Sequence, residues 1–273
     1  VGIFDFLRST PPPAGATGGV MDKKTVGPAK VVADKRAQTY DRLDAIQTLG
    51  AMKTADAASA LLKRFTYAID PSITDQEEKE LAFQGIVAAG LEEELPKGDS
   101  ERERALEALR ERREQVFETI RSFCARAEQL TWPLKVLREL LPDEAYAAEL
   151  ITILEGFDTE YVRNVDPKVQ LIVALEDVKS SAVREAVEPF LDDVNETVRF
   201  HAVKATFAQE DAAAVPALVA LLDREESVRI KNKVAEGLGA AGWRIPVELR
   251  ATTSEALRDS DNFRVTADGA IVR

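Results

Sequence analysis

Histidine and cysteine are almost missing from this 273-residue chain, which holds one of each. A single cysteine excludes a disulfide framework. One histidine with one cysteine excludes a metal site built from several His and Cys ligands. The 14 glycines are too few for a collagen repeat. No apolar run approaches the ~18 residues that a membrane-spanning helix needs. Neither G-x-x-x-x-G-K-[ST] nor G-x-S-x-G occurs, so two common phosphate-binding and acyl-transfer signatures are absent. What is present is 45% apolar and 31% charged residues, enough of each for a solvated protein with a real core. Forty-eight Asp+Glu outnumber 36 Lys+Arg, for a net charge of -12. The length suits two domains or one elongated repeat array.

Charge is unevenly divided. Residues 1–38 hold six Lys+Arg against three Asp+Glu, a net of +3, and residues 39–273 carry -15. The chain opens on a short apolar stub, Ile3, Phe4, Phe6 and Leu7, too brief for a signal peptide. A Pro/Gly linker follows over residues 9–19, then a basic stretch with Lys23, Lys24, Lys30, Lys35 and Arg36. Residues 1–38 are therefore expected to form a flexible tail whose stub docks on a partner or on a membrane surface.

From Thr39 onward, apolar residues recur at helical spacing. Leu43, Ile46, Leu49 and Met52 predict one amphipathic helix, and Ala57, Ala60, Leu61 and Phe65 a second after a very short connection. Thr74 with Glu77, Ser100 with Glu103 and Thr252 with Glu255 have capping-box spacing, so helices are expected to open there. The longest helix is expected over about 101–129, broken by Trp132-Pro133. Asp166-Pro167 predicts another helix start. Pro189 predicts a kink or a shifted boundary.

An internal repeat follows. Val183-Arg184, Val198-Arg199 and Val228-Arg229 recur, with Val169, Val198 and Val228 separated by 29 and 30 residues. Leu191-Asp192 and Leu222-Asp223 close helices 31 residues apart. A period near 30 that holds two helices indicates an α-solenoid, in which no pair covers its own apolar stripe and stacking buries the stripes together. Val198, Arg199, Ala202, Pro216, Leu218, Leu221, Leu222 and Asp223 resemble the short bacterial kind of HEAT repeat. There the first helix carries V-R-x-x-A, and the second a proline near its start, an L-x-x-L-L run and a terminal Asp. The resemblance is good over about 166–241, fair over 39–68 and poor over 74–157. It implies an all-α fold, a right-handed solenoid of about five to six helical hairpins over residues 39–258, with the second helices lining a concave surface. Residues 259–273 are expected to form a cap, where Ala267-Asp268-Gly269 between two β-prone runs predicts a small hairpin.

Candidates for chemistry are few. His201 is expected to border a groove without a catalytic role, and Cys124 to be a buried, inert thiol. A lone reduced cysteine suits the cytoplasm. Paired carboxylates at Glu92-Glu93-Glu94 and Asp192-Asp193, and Asp223 with Glu225 and Glu226, can hold Mg²⁺ but also sit where acids cap helices and face water. Gly237-Leu238-Gly239-Ala240-Ala241-Gly242 matches G-x-G-x-x-G, but no strand precedes it, so it reads as a helix terminus. Arg229, Lys231 and Lys233 form one local cationic patch.

These features lead to a non-catalytic, cytoplasmic scaffold or adaptor with no cofactor, whose acidic body favours a protein partner with a basic surface. The residues expected to touch partners are Phe4, Phe6 and Leu7, the acidic ends Asp192, Asp193, Asp223, Glu225 and Glu226, and the patch Arg229, Lys231 and Lys233. Nucleic acid is not expected as a ligand, because phosphate binding needs a basic stripe. DNA-alkylation-repeat enzymes, which also use HEAT-like helices, are the alternative reading. A chromophore-holding protein of the phycobilisome-lyase type is less well supported, since nothing marks a tetrapyrrole site.

Overall fold

The computed structural model describes residues 22–91, 99–258 and 262–273. Among them are thirteen α-helices: α1 (Lys23–Ala33), α2 (Thr39–Met52), α3 (Ala55–Leu62), α4 (Ser72–Gly90), α5 (Asp99–Cys124), α6 (Thr131–Leu140), α7 (Asp143–Leu154), α8 (Asp166–Glu176), α9 (Ser181–Val187), α10 (Glu196–Ala208), α11 (Val215–Arg224), α12 (Val228–Ala241) and α13 (Arg250–Ala256). Two short strands, β1 (Arg264–Val265) and β2 (Ile271–Val272), close the chain. The protein is thus predominantly helical.

The packing order repeats in two runs, joined where α7 packs on α8. α2 packs on α4 and α4 on α6; further on, α8 packs on α10 and α10 on α12. In a second row α3 packs on α5, α7 on α9, and α11 on α13. Buried apolar side chains form one cluster that runs from Val32 in α1 to Ile271 in β2. α2 and α4 run parallel, because their cross-contacts advance together: Arg42 meets Glu78, and Gly50 meets Gly85 a few turns later. The glycine pair allows the two backbones to touch. A Cβ on Gly85 would stand 2.9 Å from the Gly50 Cα and 2.8 Å from Leu61 Cδ1.

Local sequence explains several boundaries. α2 ends at Lys53 in the left-handed region (φ 50°), and the Thr54 hydroxyl accepts from the Ala57 N–H to start α3. α8 starts at Asp166-Pro167, as expected. Pro189 ends α9, and the chain continues as a 3-10 turn, Glu188–Asp192, that packs on α11. α12 ends on Gly242 at φ 67°, so the glycine-rich run is a helix terminus.

Other expectations need correction. The basic stretch is not tail: residues 23–33 form α1, capped by the Asp22 side chain, with Thr25 and Val32 buried against α2 and α3. Its lysines sit on the solvent side of an amphipathic helix, and composition alone hid that. α5 ends at Cys124, and Trp132-Pro133 opens α6 rather than breaking the preceding helix, since proline suits a first helical turn. Thr74 and Thr252 lie inside α4 and α13, not at their caps. The start of α4 is instead held by Asp75, whose carboxylate accepts from the Ile69 N–H. The Ser100 box falls where side chains are not described, as do Phe4, Phe6, Leu7 and Glu92 to Glu94.

The terminal hairpin is present, pairing Arg264 with Val272 and Val265 with Ile271. So short a ladder is marginal by itself. Here Gly269 makes the turn at φ 86°, its carbonyl accepts from the Ile245 N–H at 2.8 Å, and the Arg250 guanidinium donates to the Ala267 and Asp268 carbonyls.

Candidate functional site

Two of the five expected acidic contact residues, Asp193 and Glu225, turn inward. Asp193 lies 2.7 Å from the Lys168 ammonium, with both side chains fully buried, and its other oxygen accepts from the Asn195 N–H at the start of α10. One unit further on, Arg199 donates to both Glu225 oxygens at 2.8 and 2.9 Å, while Glu225 accepts from the Ser227 N–H at the start of α12. Burial alone would raise the Glu225 pKa, but Arg199 and the Ser227 and Glu226 amides outweigh it and hold it below the ordinary glutamate value. Asp192 pairs with Arg224 at 2.7 Å. A small cavity of about 290 Å³ lies among these groups. Asp193 and Glu225 therefore act as locks: each takes a cation from the first helix of its pair and fixes the start of the next pair. Asp223 and Glu226 stay exposed.

The cationic patch is divided. Arg229 is exposed, with its guanidinium 3.7 Å over the Phe200 ring, and Lys233 lies one turn along on the same face of α12. Lys231 falls on another face, and both lysines are half-buried. His201 sits beside them, 3.8 Å from Glu176. Burial, helped by the Lys204 charge, lowers its pKa, and Glu176 only partly opposes this. Cys124 is buried and its thiol is pushed up to about 12 by burial, so it stays protonated. Among the described residues no group of three His, Cys, Asp or Glu side chains is placed to hold a metal ion.

Sequence periodicity missed the larger surface features. A groove of about 820 Å³ runs between α3 and α5, where Asp56, Glu114 and Glu118 alternate with Lys63 and Arg126. A second groove, about 680 Å³, lies across α2, α4 and α6 and is lined by Leu43, Gln47, Gln76, Glu77, Glu80, Leu81 and Trp132. Leu43 and Leu81 read as core positions in the sequence, yet both are half-buried at this surface. The buried face of α2 uses Arg42, Ala45, Ile46 and Leu49 instead. One helical turn before Leu43 stands Tyr40, 80% exposed, and one turn before Gln76 and Glu77 stands Ile73, 71% exposed. Both extend the apolar stripe toward the helix starts. The sequence signal was available: Tyr40 and Ile73 are large apolar residues that fall off the core face.

The groove has a rigid floor. The Trp132 ring stacks on Phe65 at 5.5 Å, and the Lys135 ammonium sits 4.7 Å over Trp132 while pairing with Glu80 at 2.9 Å. Beneath the helices, buried Glu78 accepts from Arg42 and from Arg64, at 2.9 and 2.6 Å. Arg64 also reaches Asp75 at 2.7 Å, and Asp75 pairs with Lys79 at 2.7 Å. Burial would raise the Asp75 pKa, but its bonds to Lys79 and Arg64 lower it below the usual aspartate value. Five charged side chains thereby tie α2, α4 and the turn after α3 into one block.

No protein-family model matches this chain, and no curated protein matches it. Among solved structures, it is similar to a chain from the computational design of self-assembling cyclic protein homooligomers. Identity is 12%, the match covers 87% of this chain and 95% of that one, and the TM-score is 0.20. A TM-score that low carries no inference. No helix among the described residues is long and apolar enough to cross a membrane.

Proposed function

We propose that the chain is a HEAT-like, right-handed α-solenoid of six helical pairs that serves as a non-catalytic scaffold or adaptor for a protein partner with a basic surface. The observation that carries this reading is the next-but-one packing. First helices meet first helices over α2, α4 and α6 and again over α8, α10 and α12, and second helices meet in the pairs α3 with α5, α7 with α9 and α11 with α13. The packing of α7 on α8 joins the two runs around a single core. Units that touch only their neighbours produce long continuous faces, which suit binding better than a closed catalytic pocket. Support for a basic partner comes from the net charge of -15 over residues 39–273, which speeds encounter with cations and weakens in salt. The groove across α2, α4 and α6 joins exposed apolar side chains to Glu77 and Glu80, the composition expected of an anchoring patch with an acidic rim.

The test is affinity capture from native lysate at low and moderate salt, with wild type and a Trp132→Ala/Glu77→Lys variant. The expected result is a small set of basic proteins, retained by wild type, weakened by salt and lost from the variant. Retention no better than that of an unrelated acidic protein would contradict the proposal. So would salt-sensitive, sub-micromolar binding to duplex DNA, which belongs to the alkylation-repeat alternative.

A further inference from the structure

We propose that the track between α10 and α12, marked by Phe200, Lys204, Phe207, Arg229 and Lys233, docks a short acidic segment of a partner protein, in which two acids and an aromatic residue occupy alternate positions. Charge is unevenly satisfied in this half of the chain. Residues 166–241 carry nine Lys and Arg. Six of them sit in ion pairs with Asp or Glu. The other three, Arg229, Lys231 and Lys233, fall within five residues of α12, and no acid among the described residues pairs with them. Helix stability does not account for that placement. Cations oppose the positive end of a helix dipole, yet Arg229 and Lys231 stand in the first turn of α12, which holds no acid, and its last turn holds no base. Residues 39–273 carry a net charge of -15, so acids are abundant, and cations left unpaired at this helix end suit an anionic ligand.

The neighbouring helix gives that charge a shape. α10 and α12 run parallel, because their contacts advance together: the Arg229 guanidinium lies 3.7 Å over the Phe200 ring, and the Phe207 ring comes within 2.3 Å of where a Cβ on Gly237 would stand. Lys204 and Lys233, each one turn beyond the first contact, therefore lie side by side in the middle of the track. At its far end Trp243 stacks on Phe207 at 5.5 Å, and both rings stay half-buried. Lys204 is held by Glu176 at 3.0 Å, so Arg229 and Lys233 are the cations that a ligand would meet. Lys231 falls on another face of α12, outside the track.

Spacing selects the ligand. Arg229, Lys233 and Gly237 follow at four-residue intervals, about 6 Å apart along the helix axis. Alternate residues of an extended segment point the same way about 6.7 Å apart. Three alternate side chains of one extended segment thus meet Arg229, Lys233 and the Phe207 ring in turn. Carboxylates suit the first two positions, and an aromatic ring that can stack on Phe207 and Trp243 suits the third. Nucleic acid fits less well, because two free cations are too few for a phosphate stripe and the surrounding acids repel one. His201 borders the track: its ring meets Phe200 edge-on at 5.6 Å. Burial, then the Lys204 charge, then that of Arg229 lower its pKa against the pull of Glu176, so the ring is neutral near pH 7. This surface is opposite in charge to the groove across α2, α4 and α6 and stands or falls without it.

The experiment follows the imidazole NMR signals of His201, the single histidine, in the full chain. The probe is a capped peptide reading glutamate-serine-glutamate-serine-phenylalanine, titrated at low salt. The expected result is a saturable movement of the His201 signals, with affinity reduced at least about tenfold in Arg229→Gln/Lys233→Gln and unaltered in Lys231→Gln. Two further arms use the wild-type protein alone. Glutamine in place of both peptide glutamates should abolish the movement, and alanine in place of the phenylalanine should weaken binding about tenfold. No movement with the glutamate peptide, equal movement with the glutamine peptide, or an equal loss in Lys231→Gln would each overturn the proposal. So would tighter binding of a single-stranded oligonucleotide than of the glutamate peptide.

Discussion

The N-terminal block, residues 22–91, and the repeats over residues 166–241 solve one problem in two ways. Both must fix the end of one helical pair to the start of the next. In the repeats, one ion pair with a buried acid per unit does this: Lys168 with Asp193, then Arg199 with Glu225, each acid also bonding the backbone that opens the next first helix. In the N-terminal block the polarity is reversed. There the acids Asp75 and Glu78 belong to the next first helix, and the arginines Arg42 and Arg64 come from the preceding pair. The chemistry is conserved between the two regions while the sequence order is not. Periodicity therefore finds one region readily and the other poorly.

The comparison predicts a ranking of mutational costs. Glu78→Ala should have the largest effect, because it strands two buried guanidinium groups. Breaking a buried pair by removing one partner costs ~3–5 kcal/mol, and this site should reach the top of that range in chemical denaturation. Asp193→Ala strands only Lys168 and should fall near ~3 kcal/mol. Equal losses would break the distinction between a shared cluster and single locks. Gly85→Ala should come next, at ~1–3 kcal/mol, because the added methyl meets the Gly50 backbone. Gly237→Ala should cost less, since its methyl meets the Phe207 ring, whose side chain can turn aside.

Reading these regions from sequence succeeded where local and tertiary demands coincide. In α10 and α11, Val198, Ala202, Leu218, Leu221 and Leu222 are all buried at the spacing that the repeat imposes. The tail expectation failed because Lys23, Lys24 and Lys30 share α1 with Thr25 and Val32, whose burial depends on α2 and α3 lying beside them. The acidic ends were found, but their role was not: a carboxylate at a helix end reads as solvated unless its distant cation is known, and Lys168 is 25 residues from Asp193. Arg42 and Glu78, 36 residues apart, were invisible for the same reason. The groove needed the parallel placement of α2 and α4, which brings the stripe of Tyr40 and Leu43 beside that of Ile73 and Leu81.

Smaller effects sharpen the picture. Because the Glu225 pKa is held down in the folded chain, its contribution to stability is complete above the unfolded value of about 4.3 and is lost as pH falls through the folded one. Glu225→Gln should cost ~1–3 kcal/mol near neutrality and should flatten the acid-side fall of the thermal midpoint. An unchanged acid slope would mean that Glu225 does not link α10 to α12. Asp223→Asn, at an exposed position of the same turn, should leave both the midpoint and its pH dependence unaltered.

The account depends most on the helical pairs standing in a row, and small-angle X-ray scattering of the full chain tests that directly. A compact chain of this length has a radius of gyration near ~18.5 Å. A row of six pairs predicts a clearly larger value, with a pair-distance distribution that peaks at the width of one pair and declines in a long shoulder. A symmetric, single-peaked distribution at the compact radius would contradict it.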